Sequence, residues 1–227
     1  MLQLQFSVIQ IIIFAAMTNF VPVFPLSLVV YPGEKLHLHI FEPKYKQLIN
    51  YCIENKKPFG IPAVLNHSLS ELGSIVEITE VSRTYEDGSM DIKTKGIGVF
   101  KILELIKELP DKLYSGAIIS HQKNFNNGSA ILMKKIIENA RILHKKINVL
   151  KDFGKPDEAL LSYDIAHHIG LTLEQEYTIL EYENELHRQE YLKRHLAQII
   201  PLLQEMESLK SKIKLNGHFK NLEGFNF

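Results

Sequence analysis

Between Tyr31 and Tyr45 the chain reads Y-P-G-E-K-L-H-L-H-I-F-E-P-K-Y, and few folds accommodate that order of residues. Pro32-Gly33 is turn chemistry: proline sets φ at the first central position and glycine accepts a positive φ at the second. Leu36, Leu38 and Ile40 then alternate with His37, His39 and Phe41, the two-residue period of a strand with one buried face. Pro43 follows at the first helical position, where its missing N–H costs nothing. The Glu42 carboxylate just before it is placed to meet the open N–H groups and the positive end of the helix dipole. Tyr45, Leu48, Ile49 and Cys52 repeat at helical spacing. The stretch therefore dictates a turn, a half-buried strand and a helix in immediate succession.

Around it, Val21 to His121 reads as short strands. Val21 to Leu26 is apolar but broken by prolines, which confine it to an edge or a bulge. Phe59 to Leu65 is a second apolar run, carrying Pro62. Ser74 to Ser82 and Ser89 to Lys95 flank Glu86-Asp87-Gly88, a short-range hairpin signal. In the second of these, Met90, Ile92 and Thr94 alternate with Asp91, Lys93 and Lys95. Val99 to Ile106 and Tyr114 to Ser120 make a further pair around Pro110-Asp111. This count of short strands with one intervening helix points to a small closed or half-closed barrel.

Asn124 to Gly128 is polar and turn-prone, and every signal beyond it is helical. Leu132, Ile136, Ala140, Leu143 and Ile147 form one stripe. Pro156 to Ile169 reads as a second helix, stopped by Gly170. Thr172 with Gln175 makes a capping-box pattern for a third, with a break near Glu183-Asn184. A long last helix carries Leu192, Leu196, Ile199, Leu203, Met206 and Ile213, with Pro201 inside it. The expected class is α+β: a β-barrel domain over residues 17–123, a helical bundle over 129–213 and a flexible tail over 214–227. Residues 1–16 read as an apolar extension, and Met17 is a candidate start.

The residues also carry a family resemblance. Pro25, Leu26, Pro32, Gly33, His39, Ile40, Phe41, Glu42, Pro43 and Tyr45 resemble the signature of the amino-terminal, substrate-binding domain of Lon proteases, with Lys44 where arginine is usual. The similarity continues through Leu72 to Ile78, Asp87 to Met90 and Gly96 to Ile102, where Gly98-Val99-Phe100 departs from the usual glycine-x-x-arginine-phenylalanine. The resemblance implies a PUA-like pseudo-barrel that binds unfolded or extended polypeptide clients, together with a connection to proteolysis.

Chemistry is sparse. The one Gly-Lys pair, Gly154-Lys155, is followed by Pro156 and lacks the earlier glycine of a phosphate-binding loop. No segment resembles a Ser–Lys peptidase site. His37 and His39 leave one strand face and could share a metal, but no third ligand is specified. Asp164 and His168 share a helical face without further ligands. No cofactor is expected. Lys134, Arg141 and Lys145 form an outward basic stripe with Lys135 and Lys146 nearby; without interleaved aromatics it reads as a solvated face, and nucleic acid as a weak partner. Charge balances at 26 basic and 26 acidic residues, so no overall field steers the chain to a polyanion. The single cysteine, Cys52, excludes an internal disulfide framework and suits a reducing, cytoplasmic setting. No stretch reaches the roughly 18 to 20 apolar residues of a membrane span.

The resulting expectation is a non-enzymatic module that adds an extended client to an exposed sheet edge. Tyr31, His37, His39 and Tyr85 are the candidate client-contacting residues, because exposed aromatics and histidines serve polypeptide contacts. RNA binding through a PUA-like fold, and docking on a separate protease or chaperone as an adaptor, are the alternatives.

Overall fold

The computed structural model describes residues 19–220. The expected extension, residues 1–16, lies outside them. The chain divides into two compact units, one made of residues up to Phe125 plus Leu171–Glu183, the other of Asn126–Gly170 and the residues from Asn184 onward.

In the first unit β1 (Phe20–Pro22), β2 (Lys35–Ile40), β3 (Phe59–Leu65), β4 (Ser68–Thr84), β5 (Met90–Ile106) and β6 (Gly116–His121) form one six-stranded sheet. The order is β1-β6-β5-β4-β3, and β2 pairs with the first half of β5; every named pairing is antiparallel. The sheet is not closed, unlike the fully closed form of the expected barrel. Two isolated parallel bridges, Val23 to Gly60 and Leu26 to Ala63, lie across the gap between its ends.

The opening stretch folds as its pattern dictates. Gly33 takes φ +90° and its N–H donates to the Gly96 carbonyl at 2.8 Å. A Cβ on Gly96 would lie 2.3 Å from the Tyr31 carbonyl oxygen, so only glycine permits this approach. In β2, Ile40 is buried and Leu36 and Leu38 are half-buried, while Lys35, His37 and His39 face outward. Helix α1 (Pro43–Asn55) buries Leu48, Ile49 and Cys52. They join Phe24, Val30, Phe59, Ile61, Val76, Met90 and Ile92 in the larger core. The Glu42 carboxylate makes no capping bond, contrary to expectation; it pairs with Lys44 at 3.2 Å, and the Glu42 carbonyl accepts the Tyr45 and Lys46 N–H groups instead.

The Glu86-Asp87-Gly88 hairpin forms, with Gly88 at φ +75° and Asp87 Oδ1 accepting from Ser89 N and Oγ. Its strands are longer than the pattern suggests. β5 runs unbroken for 17 residues, so Val99 to Ile106 is its second half rather than a separate strand. The glycines that interrupt the periodicity there serve the approach to Tyr31 and a bulge between Ile75 and Val76, not a turn.

The helix read from Thr172, α4 in chain order (Leu173–Glu181), has the expected capping box but belongs to the sheet unit, not to a contiguous helical domain. The Tyr31 hydroxyl donates to the Glu176 carbonyl at 2.9 Å, and the Leu72 N–H donates to the Tyr177 hydroxyl at 3.0 Å.

The second unit holds α2 (Ala130–Lys146), a 3₁₀ turn (Asp157–Ala159), α3 (Ser162–Ala166) and α5 (Glu185–Lys220). The single helix expected over Pro156 to Ile169 is replaced by the turn and α3, because Leu160 and Leu161 are extended. Asp164 caps α3 by accepting from Leu161 N at 2.9 Å and pairs with Lys155 at 2.6 Å. Ser162 N and Oγ both donate to the fully buried Glu185 carboxylate, at 2.8 and 2.6 Å. α5 continues through Lys220, so the tail expected from residue 214 is helical to that point; residues 221–227 lie outside the described part. No helix among the described residues is long and apolar enough to cross a membrane.

Candidate functional site

The length mismatch between β3 and β4 creates the most distinctive surface of the sheet unit. β3 accompanies β4 only as far as the pair Phe59 and Val76. From Glu77 to Thr84, β4 pairs with β5 on one side, and among the described residues no strand pairs with its other side. Alternate N–H and C=O groups of this segment therefore point away from the sheet. Register shifts between Ile78 and Glu80, and between Val81 and Arg83, twist it. Glu77, Glu80 and Arg83 charge it. Both features restrain uncontrolled strand pairing.

A groove of about 450 Å³ runs beside this edge. Ile53, Lys56, Lys57 and Pro58, from the end of α1 and the link to β3, make one wall; Glu77 to Val81 make the other, with Ile97 and Cys52 also lining it. Ile53, Val81 and Ile97 are exposed aliphatic side chains, so the groove offers apolar contact next to an open hydrogen-bonding edge. Glu80 is held below the usual carboxylate range by its hydrogen bond from Lys93, at 2.8 Å. Cys52 is inert there: burial pushes its thiol up to about 12.

At the hairpin end of the same strands, His39 and Tyr85 meet. The Asp91 carboxylate accepts from both, from His39 Nδ1 at 2.7 Å and from the Tyr85 hydroxyl at 2.7 Å. A carboxylate only accepts, so Nδ1 of His39 carries the proton. The His39 ring stacks with Phe41 at 5.9 Å and meets the edge of Tyr85 at 5.8 Å, and the Arg83 guanidinium lies 4.6 Å from the centre of the Tyr85 ring. The bond from Tyr85, then that from His39, lowers the Asp91 pKa, while Asp91 raises that of Tyr85. Phe41 is 61% exposed. The cluster holds no activated nucleophile; it presents aromatic faces on a fixed polar frame. Among the described residues no group of three or more His, Cys, Asp and Glu side chains could hold a metal.

Of the sequence candidates, His39 and Tyr85 come together. His37 is exposed on the same strand face, opposite Lys93 in register. Tyr31 does not belong to any surface: it is 1% exposed, its ring packed inside and its hydroxyl bonded to Glu176. Its place beside a Pro-Gly turn suggested exposure, but the close approach of Gly96 turns that segment inward. Sequence reasoning missed Phe41, Arg83 and Asp91. Phe41 was available from the alternation that selected His37 and His39; Asp91 was not, because its partnership depends on strand register.

Residues 21–198 match the family model described as the ATP-dependent protease La (LON) substrate-binding domain. The fold is similar to the crystal structure of the Lon N-terminal domain protein from Xanthomonas campestris, with a TM-score of 0.57 and 19% identity over 77% of this chain and 97% of that one. It is likewise similar to the N-terminal domain of Mycobacterium avium complex Lon protease, with a TM-score of 0.55 and 16% identity over 79% and 98% of the two chains.

Proposed function

Because the chain belongs to the ATP-dependent protease La (LON) substrate-binding domain family, we propose that it is a non-catalytic module that takes extended or unfolded polypeptide along the open edge of β4. The observation that carries this reading is the one-sided pairing of Glu77 to Thr84 beside an apolar groove. Backbone bonds to an edge are indifferent to client sequence, and the groove adds a preference for an apolar side chain, which together suit recognition of unfolded chains. His37, His39 and Tyr85 supply a second, aromatic contact region at the hairpin end. The work it does belongs to protein quality control in the cytoplasm, with energy use and bond cleavage supplied by other proteins.

The test is fluorescence anisotropy of a labelled, permanently unfolded protein. Val81→Arg combined with Ile53→Glu, both at exposed positions, should weaken binding at least tenfold while circular dichroism stays unchanged. Unchanged affinity in that variant removes the edge and groove from the reading. Retention of single-stranded RNA at physiological salt, with no affinity for unfolded protein, replaces it with the RNA alternative.

A further inference from the structure

The outward face of α2 is used by neither the core nor the edge. Its exposed residues fall in three rows. Ile131 and Ile142 run along the centre with the exposed Glu138, the only acidic residue of the helix, between them; Lys134 and Lys145 run along one side, Lys135 and the half-buried Lys146 along the other. Beyond the helix end, Asn148 takes a left-handed φ of 55° and Val149 N–H donates to the His144 carbonyl at 2.9 Å. That cap projects Ile147, Val149 and Leu150 outward, Leu150 at 103% exposure, with Lys151 next to them. Arg141 is committed to Asp157 through two bonds of 2.8 and 2.7 Å. Lys134, Lys135, Lys145, Lys146 and Lys151 take part in no ion pair among the described residues.

Exposed aliphatic side chains framed by uncommitted lysines have a specific complement: apolar material topped by anionic groups. We propose that this face and tip dock on an anionic lipid surface. Ile147, Val149 and Leu150 enter the boundary of the acyl region and the lysines meet the headgroups, their stems lying along the apolar row. A protein partner fits less well, because lysine is depleted and aromatics are enriched at the core of protein interfaces, and this patch has neither property. Single-stranded nucleic acid fits less well too, since it needs aromatic stacking platforms.

The experiment is co-sedimentation of the full chain with vesicles of phosphatidylcholine alone and with one third phosphatidylglycerol. Binding should be at least tenfold stronger to the anionic vesicles and should fall steeply in high salt. Leu150→Glu with Val149→Ser should reduce it about tenfold, as should Lys134→Glu with Lys145→Glu; all four positions are exposed, and circular dichroism checks the fold. Residues 1–18 are common to every variant, so only the difference between variants is read. Equal binding to both vesicles, no binding, or indifference to either pair of substitutions overturns the proposal. So does competition by single-stranded RNA at equal charge. Val81→Arg with Ile53→Glu should leave vesicle binding unchanged, which separates this surface from the client edge.

Discussion

The buried pair Glu185–Arg188 gives the most decisive stability experiment. Both side chains are 0% exposed, with Arg188 Nη2 and Nε each 3.0 Å from Glu185 Oε2. The carboxylate also accepts from Ser162 N, Ser162 Oγ and Gln189 Nε2, and the Arg188 guanidinium lies 4.3 Å from the centre of the Tyr163 ring. Glu185→Gln keeps the shape but removes the negative charge. A buried cation without its counter-charge costs about 3–5 kcal/mol. That is a large share of the ~5–15 kcal/mol that holds a typical domain together. Adding Arg188→Met removes the stranded charge, and replacing both ions is often near neutral, so the double variant should recover more than half of the loss. The assay is urea unfolding followed by far-ultraviolet circular dichroism and tyrosine fluorescence, which is unobscured because the chain has no tryptophan. A Glu185→Gln variant within about 0.5 kcal/mol of the parent, the range of an ordinary surface change, would refute a stranded buried charge. Simple addition of the two effects would refute it equally, because coupled neighbours deviate from additivity by roughly 0.5–3 kcal/mol.

Tyr31→Phe should cost about 1 kcal/mol by removing the hydroxyl's bond to the Glu176 carbonyl, and hydrogen exchange should show α4 amides opening sooner. Asp91 should titrate below the ordinary Asp value in an NMR pH series, with Tyr85→Phe moving it back up more than His39→Ala does. Its folded pKa is depressed, so the stability it adds is complete above the unfolded value of about 3.9 and is lost as pH falls through the lower folded value; Asp91→Asn should abolish that dependence. Cys52, with its thiol raised to about 12, should react with a thiol reagent at pH 8 at least a hundredfold more slowly in the folded chain than in urea.

What the sequence disclosed was local; what it concealed was register and allegiance. The strand and helix from Lys35 to Asn55 were legible because alternation, a Pro-Gly turn and a proline at the first helical position each act within a few residues. The Thr172–Gln175 capping box was legible for the same reason, yet nothing local says that α4 packs with the sheet, since that depends on hydroxyls of Tyr31 and Tyr177 reaching partners more than a hundred positions away. The long helix expected across Pro156 to Ile169 failed because Glu185, distant in sequence, takes both polar groups of Ser162 and holds the chain extended before it. At the hairpin end, His39 and Tyr85 could be named individually. Their union through Asp91 follows only once His39 stands opposite Asp91 in the ladder.

The open edge of β4 has a traceable cause at the end of α1. The next ladder position after Phe59 and Val76 would set Pro58 against Glu77. The ladder stops there because the chain before Phe59 does not run on as a strand but turns back through Lys57 and Lys56 into α1. The chain reaches Pro58 directly from α1, whose end is fixed by Lys56 in the left-handed region at φ 51° and by the Lys57 N–H donating to the Cys52 carbonyl at 3.0 Å. Helix end, proline and groove wall are therefore one construction: the residues that forbid β3 from covering Glu77 to Thr84 are those that face it across the groove. Replacing Pro58 alone would not close the edge, because Lys56 and Lys57 still turn the chain back into α1. On the proposed reading, a client strand laid against β4 would pass Lys57 and Ile53, and the side chain it directs between them would be the one the groove selects.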